Sequence, residues 1–288
     1  MRTASRRSPS FNIPGYNQNA VLQLIIASGT GFIMYHLVRV TMIVFGFKNG
    51  EAASLILPYV ALQSPQTFLP HFWTIFTYGW VHNGLMEWIT DMVWLYCFGN
   101  ALQMLVNYKQ IIPIYIYGIL GGGVFCLLGQ YLFGQDLIIM TGQAGVMALV
   151  AAIITLSPNY RFYLGENFSI PLLVVAGIYI GLTVAFYSNP VMLMLYAGGL
   201  LTGFIVMSAI KRGMRPGEWM YALSNLGSTP GGAAFRNDKS RKGFDKPSAH
   251  ENKQKRIDEI LDKINQRGYK ALTKEERDLL VRASQDEK

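Results

Sequence analysis

Long apolar runs fill the middle of the chain, whereas most charged residues lie before residue 20 or after residue 210. A run of about 20 apolar residues is the length that a helix needs to cross the hydrocarbon core of a bilayer. The pattern therefore predicts an all-α membrane protein with six membrane-spanning helices. These predicted spans cover residues 20–47, 85–106, 111–132, 142–157, 170–187 and 190–210.

The fourth predicted span, residues 142–157, is short for a hydrocarbon core of about 30 Å. A short helix is tolerated in a membrane where protein or a polar cavity, rather than lipid, meets its end. We therefore expect this helix to be surrounded by the other spans.

The connection between the first two predicted spans, residues 48–84, is long and rich in aromatic residues. Two interpretations remain open: a small subdomain partly embedded at the membrane interface, or an ordinary belt of interfacial aromatic residues. The aromatic residues concerned are Phe68, Phe72, Trp73, Phe76, Tyr78 and Trp80.

Composition and charge agree with a bilayer as the solvent. Hydrophobic residues make up 51% of the chain and charged residues 15%, against about 25% charged residues in a soluble domain. The net charge of +8 is explained by basic segments facing the cytoplasm, so we expect no nucleic-acid partner. The basic residues on the side shared by both termini are Arg2, Arg6, Arg7, Lys109, Arg161, Lys211, Arg212 and Arg215. Their excess predicts that both termini are cytoplasmic.

The chain after the last span has a different character. Residues 213–252 are rich in Gly, Ser, Pro and Lys and predict a flexible basic linker. Residues 253–288 predict a small cytoplasmic helical hairpin, because Thr273 and Glu276 form a capping-box pattern after a first amphipathic helix. Two short helices make a weak core, so this tail is expected to contact a cytoplasmic partner or to pack weakly on itself. The predicted organisation is completed by an N-terminal cytoplasmic segment, 1–19, and a transmembrane domain, 20–212.

Polar and small residues interrupt the apolar runs at three places. The fourth span opens with Gly142-Gln143-Ala144-Gly145, the sixth contains Tyr196-Ala197-Gly198-Gly199 and continues to Gly203, and the second is preceded by His82 and contains Glu87 and Asp91. Small residues four apart allow two helix backbones to approach closely. We therefore predict contact between the fourth and sixth spans, with Gly145 as a facing position.

These motifs resemble the rhomboid family of intramembrane proteases over about residues 15–212. The resemblance includes the phrase from Trp73 to Asp91, the run Ser157-Pro158-Asn159 and the order of the three polar clusters. It implies a six-helix rhomboid-like bundle. The C-terminal helix pair resembles the tail of rhomboids from one bacterial group, the Bacteroidota, which implies a bacterial inner-membrane protein.

The resemblance also implies a catalytic site, and this chain lacks its chemistry. The family's nucleophilic serine corresponds to Ala144, and its basic histidine corresponds to Tyr196, whose phenol is a poor base at neutral pH. The family's oxyanion-hole histidine and asparagine correspond to Glu87 and Asp91, while His82 matches a preceding histidine. The expectation is a pseudoprotease that is not an enzyme and has no catalytic residue intact.

Several alternatives remain open for the substituted site. His82, Glu87, Asp91, Gly142, Ala144, Gly145, Tyr196 and Gly199 are candidates for a structural network or for a groove that binds client transmembrane segments. The structural interpretation has the carboxyl groups bonded to Tyr196, Thr90 and the backbone around Ala144. Proton or cation handling by the carboxylates is a third interpretation. No cofactor and no metal site are expected.

Two functional alternatives stand beside the pseudoprotease. One is an active serine endopeptidase with an unrecognised nucleophile, for which Ser157, Thr141 and Cys97 are poor candidates. The other is a membrane-anchored scaffold acting through residues 253–288. In the first span, Arg39 either reaches the membrane interface or forms an ion pair with Glu87 or Asp91.

Overall fold

The structure is a computed structural model that describes residues 19–163 and 169–220. Six of its helices coincide with the six predicted spans to within a few residues. They are α1 (Ala20–Val44), α5 (Leu85–Leu105), α6 (Ile111–Phe133), α7 (Gln143–Leu156), α8 (Leu172–Phe186) and α9 (Pro190–Lys211). The short helices α2 (Asn49–Val60), α3 (Pro65–Phe68) and α4 (Thr74–Thr77) lie between α1 and α5.

Among the described residues, three helices are long and apolar enough to cross a membrane. They are α1, α9 and α6 together with the turn before it, Tyr108–Phe133. Helices α7 and α8 are apolar but shorter, with 14 and 15 residues. Helix α5 has 21 residues and carries two carboxyl groups.

Helix α7 lies in the centre of the bundle. Every residue from its first, Gln143, through Ile153 is buried. It packs against α5, α6 and α9. The expectation that this short helix is surrounded by protein is confirmed.

Glycines allow α7 to approach its neighbours at backbone distance. On α9, a side chain at Gly199 would collide with the carbonyl of Ala144, and one at Gly203 would collide with that of Ala148. The predicted contact between the fourth and sixth spans is thereby confirmed. On the opposite side, Gly118 of α6 lies against the same two alanines.

Gly145 does not face α9, so this prediction was wrong. A side chain at Gly145 would enter the ring of Tyr115 on α6, with the nearest approaches at ring carbons. Along a helix only positions three or four apart share a face. The backbone carbonyls of Ala144 and Ala148 meet α9, whereas their methyl groups and the free side of Gly145 lie against α6.

The connection between α1 and α5 is a folded substructure that packs on α6. Trp73 Nε1 donates to the carbonyl of Tyr59 at 3.0 Å, and Thr77 Oγ1 donates to that of Val60 at 3.0 Å. Tyr78 is fully buried and its hydroxyl donates to the Ile119 carbonyl on α6 at 2.6 Å. Burial raises the pKa of Tyr78 well above its usual value, so the phenol stays protonated and remains a donor.

Two further features lie at the opposite end of the bundle from this connection. Strands β1 (Arg161–Tyr163) and β2 (Ser169–Pro171) form an antiparallel pair that precedes α8. After α9, Trp219 Nε1 donates to the Tyr117 hydroxyl at 2.7 Å, and that hydroxyl donates to the Pro216 carbonyl at 2.9 Å. The first residues of the predicted linker, 213–252, therefore pack on α6. The predicted helical tail, 253–288, and residues 1–18 lie outside the described part of the chain.

Candidate functional site

The polar residues of the three sequence motifs meet at the end of the bundle where α7 begins. The segment before α7 is held there by a pair of backbone hydrogen bonds between Leu62 and Ile139, at 3.0 and 2.9 Å. Next along the chain, the Thr141 amide donates to the Tyr78 carbonyl at 3.1 Å. These bonds fix the start of α7 against the connection that precedes α5.

Asp91 is the centre of a buried polar network. Its side chain is 2% exposed, and its Oδ2 atom accepts from the Thr141 hydroxyl at 3.1 Å and from the Gly142 amide at 3.2 Å. His82, which is fully buried, places Nε2 3.0 Å from the same oxygen. One carboxyl oxygen thus joins α5 to the segment before it and to the start of α7.

The geometry assigns the hydrogen-bonding roles within this network. In the tautomer that carries its proton on Nε2, His82 donates to Asp91 Oδ2 at 3.0 Å. The Gly142 amide then bonds to Asp91 at 3.2 Å in preference to His82 Nε2 at 3.4 Å. His82 Nδ1 has no hydrogen-bond partner within the described residues.

Close packing explains why glycine and alanine occur at the start of α7. A side chain at Gly142 would come within 2.6 Å of the Tyr115 hydroxyl and 3.2 Å of the Gly79 carbonyl. Ala144 is fully buried, and its methyl group fills the space beside Gly122 of α6. Position 144, the predicted counterpart of the family's nucleophile, therefore holds a small packed side chain.

Tyr196 belongs to a second hydrogen bond and not to the Asp91 network. Its hydroxyl donates to Gln143 Oε1 at 2.8 Å and thereby links α9 to α7. The carboxyl–Tyr196 bond of the structural interpretation is absent among the described residues, because the phenol donates its hydrogen bond to Gln143 instead. Thr90 is likewise outside the network, since its hydroxyl donates to the Met86 carbonyl on its own helix.

Glu87 and Asp91 have different environments although they lie four residues apart on α5. Asp91 is buried, whereas Glu87 is exposed in the first turn of the helix and makes no hydrogen bond or ion pair within the described residues. The structural interpretation, in which both carboxyl groups join one network, therefore does not hold for Glu87. Glu87 lies in the first turn of α5, and it lines a cavity at this end of the bundle.

This cavity has a volume of about 520 Å³ and lies at the same end of the bundle. It extends from α1 and α2 to the segment between α8 and α9, and Thr141 and Gln143 form part of its wall. Its polar lining also includes Arg39, Asn83, Glu87, Tyr187 and Asn189. We call it the polar cavity.

Arg39 lines the polar cavity without pairing to a carboxylate among the described residues. Its Nε atom donates to Asn49 Oδ1, in the first turn of α2, at 2.9 Å. The described ion pairs are His82 with Asp91 and Arg215 with Glu218. The considered pair between Arg39 and Glu87 or Asp91 is therefore not formed.

Sequence reasoning missed Thr141 and Gln143 as network members and Asn83, Tyr187 and Asn189 as cavity lining. Thr141 was considered only as an isolated nucleophile without a base, yet its hydroxyl donates to Asp91 and accepts from the Gln143 amide at 3.2 Å. The sequence signal that could have identified them was the occurrence of two polar residues, Thr141 and Gln143, at the start of an apolar helix. Within the described residues, no group of three or more His, Cys, Asp or Glu side chains is suited to a metal ion.

The helices and this end of the bundle define a class: an integral membrane protein with a polar cavity beside a short, buried central helix. A family model of the Rhomboid domain matches residues 69–212, which is half of the 288-residue chain. The chain belongs to the rhomboid family. A second model, of a family of unknown function (DUF6576), matches residues 248–286. A search of curated proteins finds no match.

Proposed function

We propose that this rhomboid-family protein binds the transmembrane segments of other membrane proteins at the remnant of the family's cleft and does not cleave them. The observation that carries this proposal is the buried Ala144 methyl at the nucleophile position, next to an open cavity of about 520 Å³. A site that keeps a cavity and lacks a nucleophile favours binding over hydrolysis.

The hydrogen bonds at the site support the absence of proteolysis. A base must take a proton from the nucleophile, but the Tyr196 phenol is itself a donor, to Gln143. Donors around an oxyanion must be free to stabilise its charge. Here the Gly142 amide donates to Asp91, and the other carboxyl group in this region, Glu87, would repel an anion.

Thr141 is the best-placed hydroxyl for an active alternative, but its bonds oppose that role. The hydroxyl donates its proton to Asp91 and accepts from the Gln143 amide. An attacking hydroxyl needs a lone pair directed at the substrate. The arrangement favours a structural role in which Thr141 connects Asp91 to the start of α7.

We further propose a six-span arrangement with both termini in the cytoplasm of a bacterium and the bundle in its inner membrane. At 1.5 Å per residue, the 21 residues of α5 reach about 31 Å. The 14 residues of α7 reach only about 21 Å, and the surrounding helices shield that helix from lipid. Lys109, Arg161 and Lys211 lie at the end opposite the polar cavity, where the positive-inside rule predicts cytoplasm.

Photo-crosslinking tests the client-binding proposal. Asn83 is exposed and lines the polar cavity, so a photoreactive amino acid can replace it without disturbing the core. Ala144 is unsuitable because it is fully buried. We expect crosslinks from position 83 to a defined membrane protein in native membranes.

The matched control is the same probe at Asp136, which is exposed at the same end and outside the polar cavity. A client should crosslink from position 83 and not from position 136. Equal crosslinking from both positions, or adducts with lipid alone, would contradict client binding in the cavity.

A scaffold function of the tail is a second candidate, favoured by the separate family match over residues 248–286. It is tested by deleting residues 248–288, which leaves the packed Trp219 region in place. If the client crosslink from position 83 persists, the cavity binds without the tail. Loss of that crosslink would favour the tail as the binding part.

A further inference from the structure

Two opposite charges line the polar cavity without neutralising each other. Arg39 bonds through Nε to the amide oxygen of Asn49, so its terminal nitrogens have no partner within the described residues. Glu87 has no hydrogen bond or ion pair in the same part of the chain. A ligand with one anionic and one cationic group would satisfy both.

An apolar cavity of about 300 Å³ adjoins the polar cavity. Tyr35 of α1 lines both of them. The remaining lining of the apolar cavity comes from α1, α2 and the segment before α5: Gly31, Met34, Val38, Ile56, Val60, Thr77, Trp80 and Val81. The one hydroxyl in this list, that of Thr77, already donates to the Val60 carbonyl.

We propose that the two cavities together bind one phospholipid whose headgroup carries a primary amine. Its phosphate bonds to the Arg39 guanidinium, its ammonium group bonds to the Glu87 carboxylate, and an acyl chain fills the apolar cavity. The lipid would occupy the same polar cavity as the proposed client, so its binding is tested on the purified chain, where no client is present.

The chemistry of the two charged residues selects this class of headgroup. A guanidinium donates two parallel hydrogen bonds to phosphate oxygens, as it does to carboxylates. A carboxylate accepts hydrogen bonds from a primary ammonium, whereas a quaternary ammonium has no N–H to donate. The polar cavity therefore favours ethanolamine over choline, and a headgroup without any cation leaves Glu87 unpaired.

The apolar cavity favours a lipid over a soluble zwitterion. Its lining surface is almost wholly apolar, and hydrocarbon buried there contributes about 25 cal/mol for each Å² removed from water. In a membrane, other hydrocarbon competes for this space. The headgroup therefore sets the selectivity, while the chain holds the lipid in a fixed position beside α1.

Native mass spectrometry of the purified full-length chain tests the proposal. The protein is mixed with equal amounts of phosphatidylethanolamine, phosphatidylcholine and phosphatidylglycerol of identical acyl chains. We expect retention of phosphatidylethanolamine about tenfold above the other two, as a charge-assisted hydrogen bond is lost with each of them. In Glu87→Gln, the preference over phosphatidylcholine should fall to near parity.

Controls separate this site from general lipid attachment. Asp136→Asn removes an exposed carboxyl group at the same end outside both cavities and should leave the preference unchanged. Val38→Trp fills the apolar cavity and should lower phosphatidylethanolamine retention. Glycerophosphoethanolamine, which has the headgroup without acyl chains, should not be retained.

The unfolding temperature of each variant, measured in the same detergent, confirms that it is folded before its lipids are compared. Equal retention of the three lipids by the unmodified protein would overturn the proposal. So would an unchanged preference in folded Glu87→Gln, or retention of glycerophosphoethanolamine at the level of the intact lipid.

Discussion

Asp91 holds the start of α7 through one carboxyl oxygen that serves three neighbours. It connects the segment before α5, α5 itself and the residues at the start of α7. Glu87, one helical turn earlier, is exposed and makes none of these connections. At the residue scale, the buried carboxyl group of Asp91 is structural, whereas the exposed carboxyl group of Glu87 is available to a ligand.

Replacing Asp91 with alanine should therefore destabilise the protein strongly. Thr141, Gly142 and His82 would each lose their acceptor in a buried site, and we expect a loss on the order of 3 kcal/mol in unfolding free energy. Glu87→Ala is the matched control and should change it by less than about 0.5 kcal/mol. Reversible unfolding in mixed micelles measures the unfolding free energy of both variants. Equal losses in Asp91→Ala and Glu87→Ala would contradict the structural role of the Asp91 network.

Restoring a hydroxyl at the nucleophile position should not restore proteolysis. In Ala144→Ser the predicted base position still holds Tyr196 in place of an imidazole, and that phenol is bonded to Gln143. We expect no cleavage of a transmembrane reporter by Ala144→Ser or by the unmodified protein. An active rhomboid protease serves as the positive control, and specific cleavage by either form would refute the inactive assignment.

Helix α7 is held between two helices that present glycines to it. Gly199 and Gly203 of α9 meet the carbonyls of Ala144 and Ala148, while Gly118 of α6 lies against the same residues from the other side. Within lipid, helix association depends on close packing of this kind, because hydrocarbon surrounds each helix in either state. At the element scale, small residues position the helix that begins at the site.

Adding a methyl group to this contact should separate the helices. In Gly203→Ala the new Cβ would collide with the Ala148 carbonyl, and overpacking of this kind costs about 1–3 kcal/mol. Gly181→Ala on α8 is the control, because nothing lies within 4 Å of its new methyl group. The control should be neutral or gain up to about 1 kcal/mol from helix propensity. If Gly203→Ala folds and unfolds at the same temperature as Gly181→Ala, the proposed close packing of α7 and α9 would be contradicted.

The whole molecule places its polar cavity at one end and most of its basic connections at the other. Arg39 and Glu87 line the cavity, whereas Lys109 and Lys211 lie near the opposite helix ends. In a cell membrane this asymmetry predicts that the cavity opens away from the cytoplasm.

Labelling of single cysteines checks this orientation. In a background with Cys97 and Cys126 replaced by alanine, a cysteine at position 136 should react with a membrane-impermeant maleimide in intact cells. A cysteine at position 109 should react only after the membrane is opened. The reverse pattern would show the opposite orientation.

The pattern of apolar residues predicted the positions of the six helices, because a helix that crosses a bilayer needs an apolar segment as long as the hydrocarbon core is thick. The residue types at positions 144 and 196 likewise led to the prediction of an inactive site, since chemistry depends on functional groups regardless of fold. The family match over residues 69–212 agrees with the resemblance that these positions carry.

Tertiary structure alone decided which polar residues act together. Sequence spacing placed Glu87 and Asp91 on one helix face, but the proximity of Thr141 and Gly142 made one buried and the other exposed. Gly145 faces Tyr115 because the register of α7 is set by contacts on both sides at once. Hydrogen bonds and packing depend on residues distant in sequence, so helix periodicity predicts the elements but not their partners.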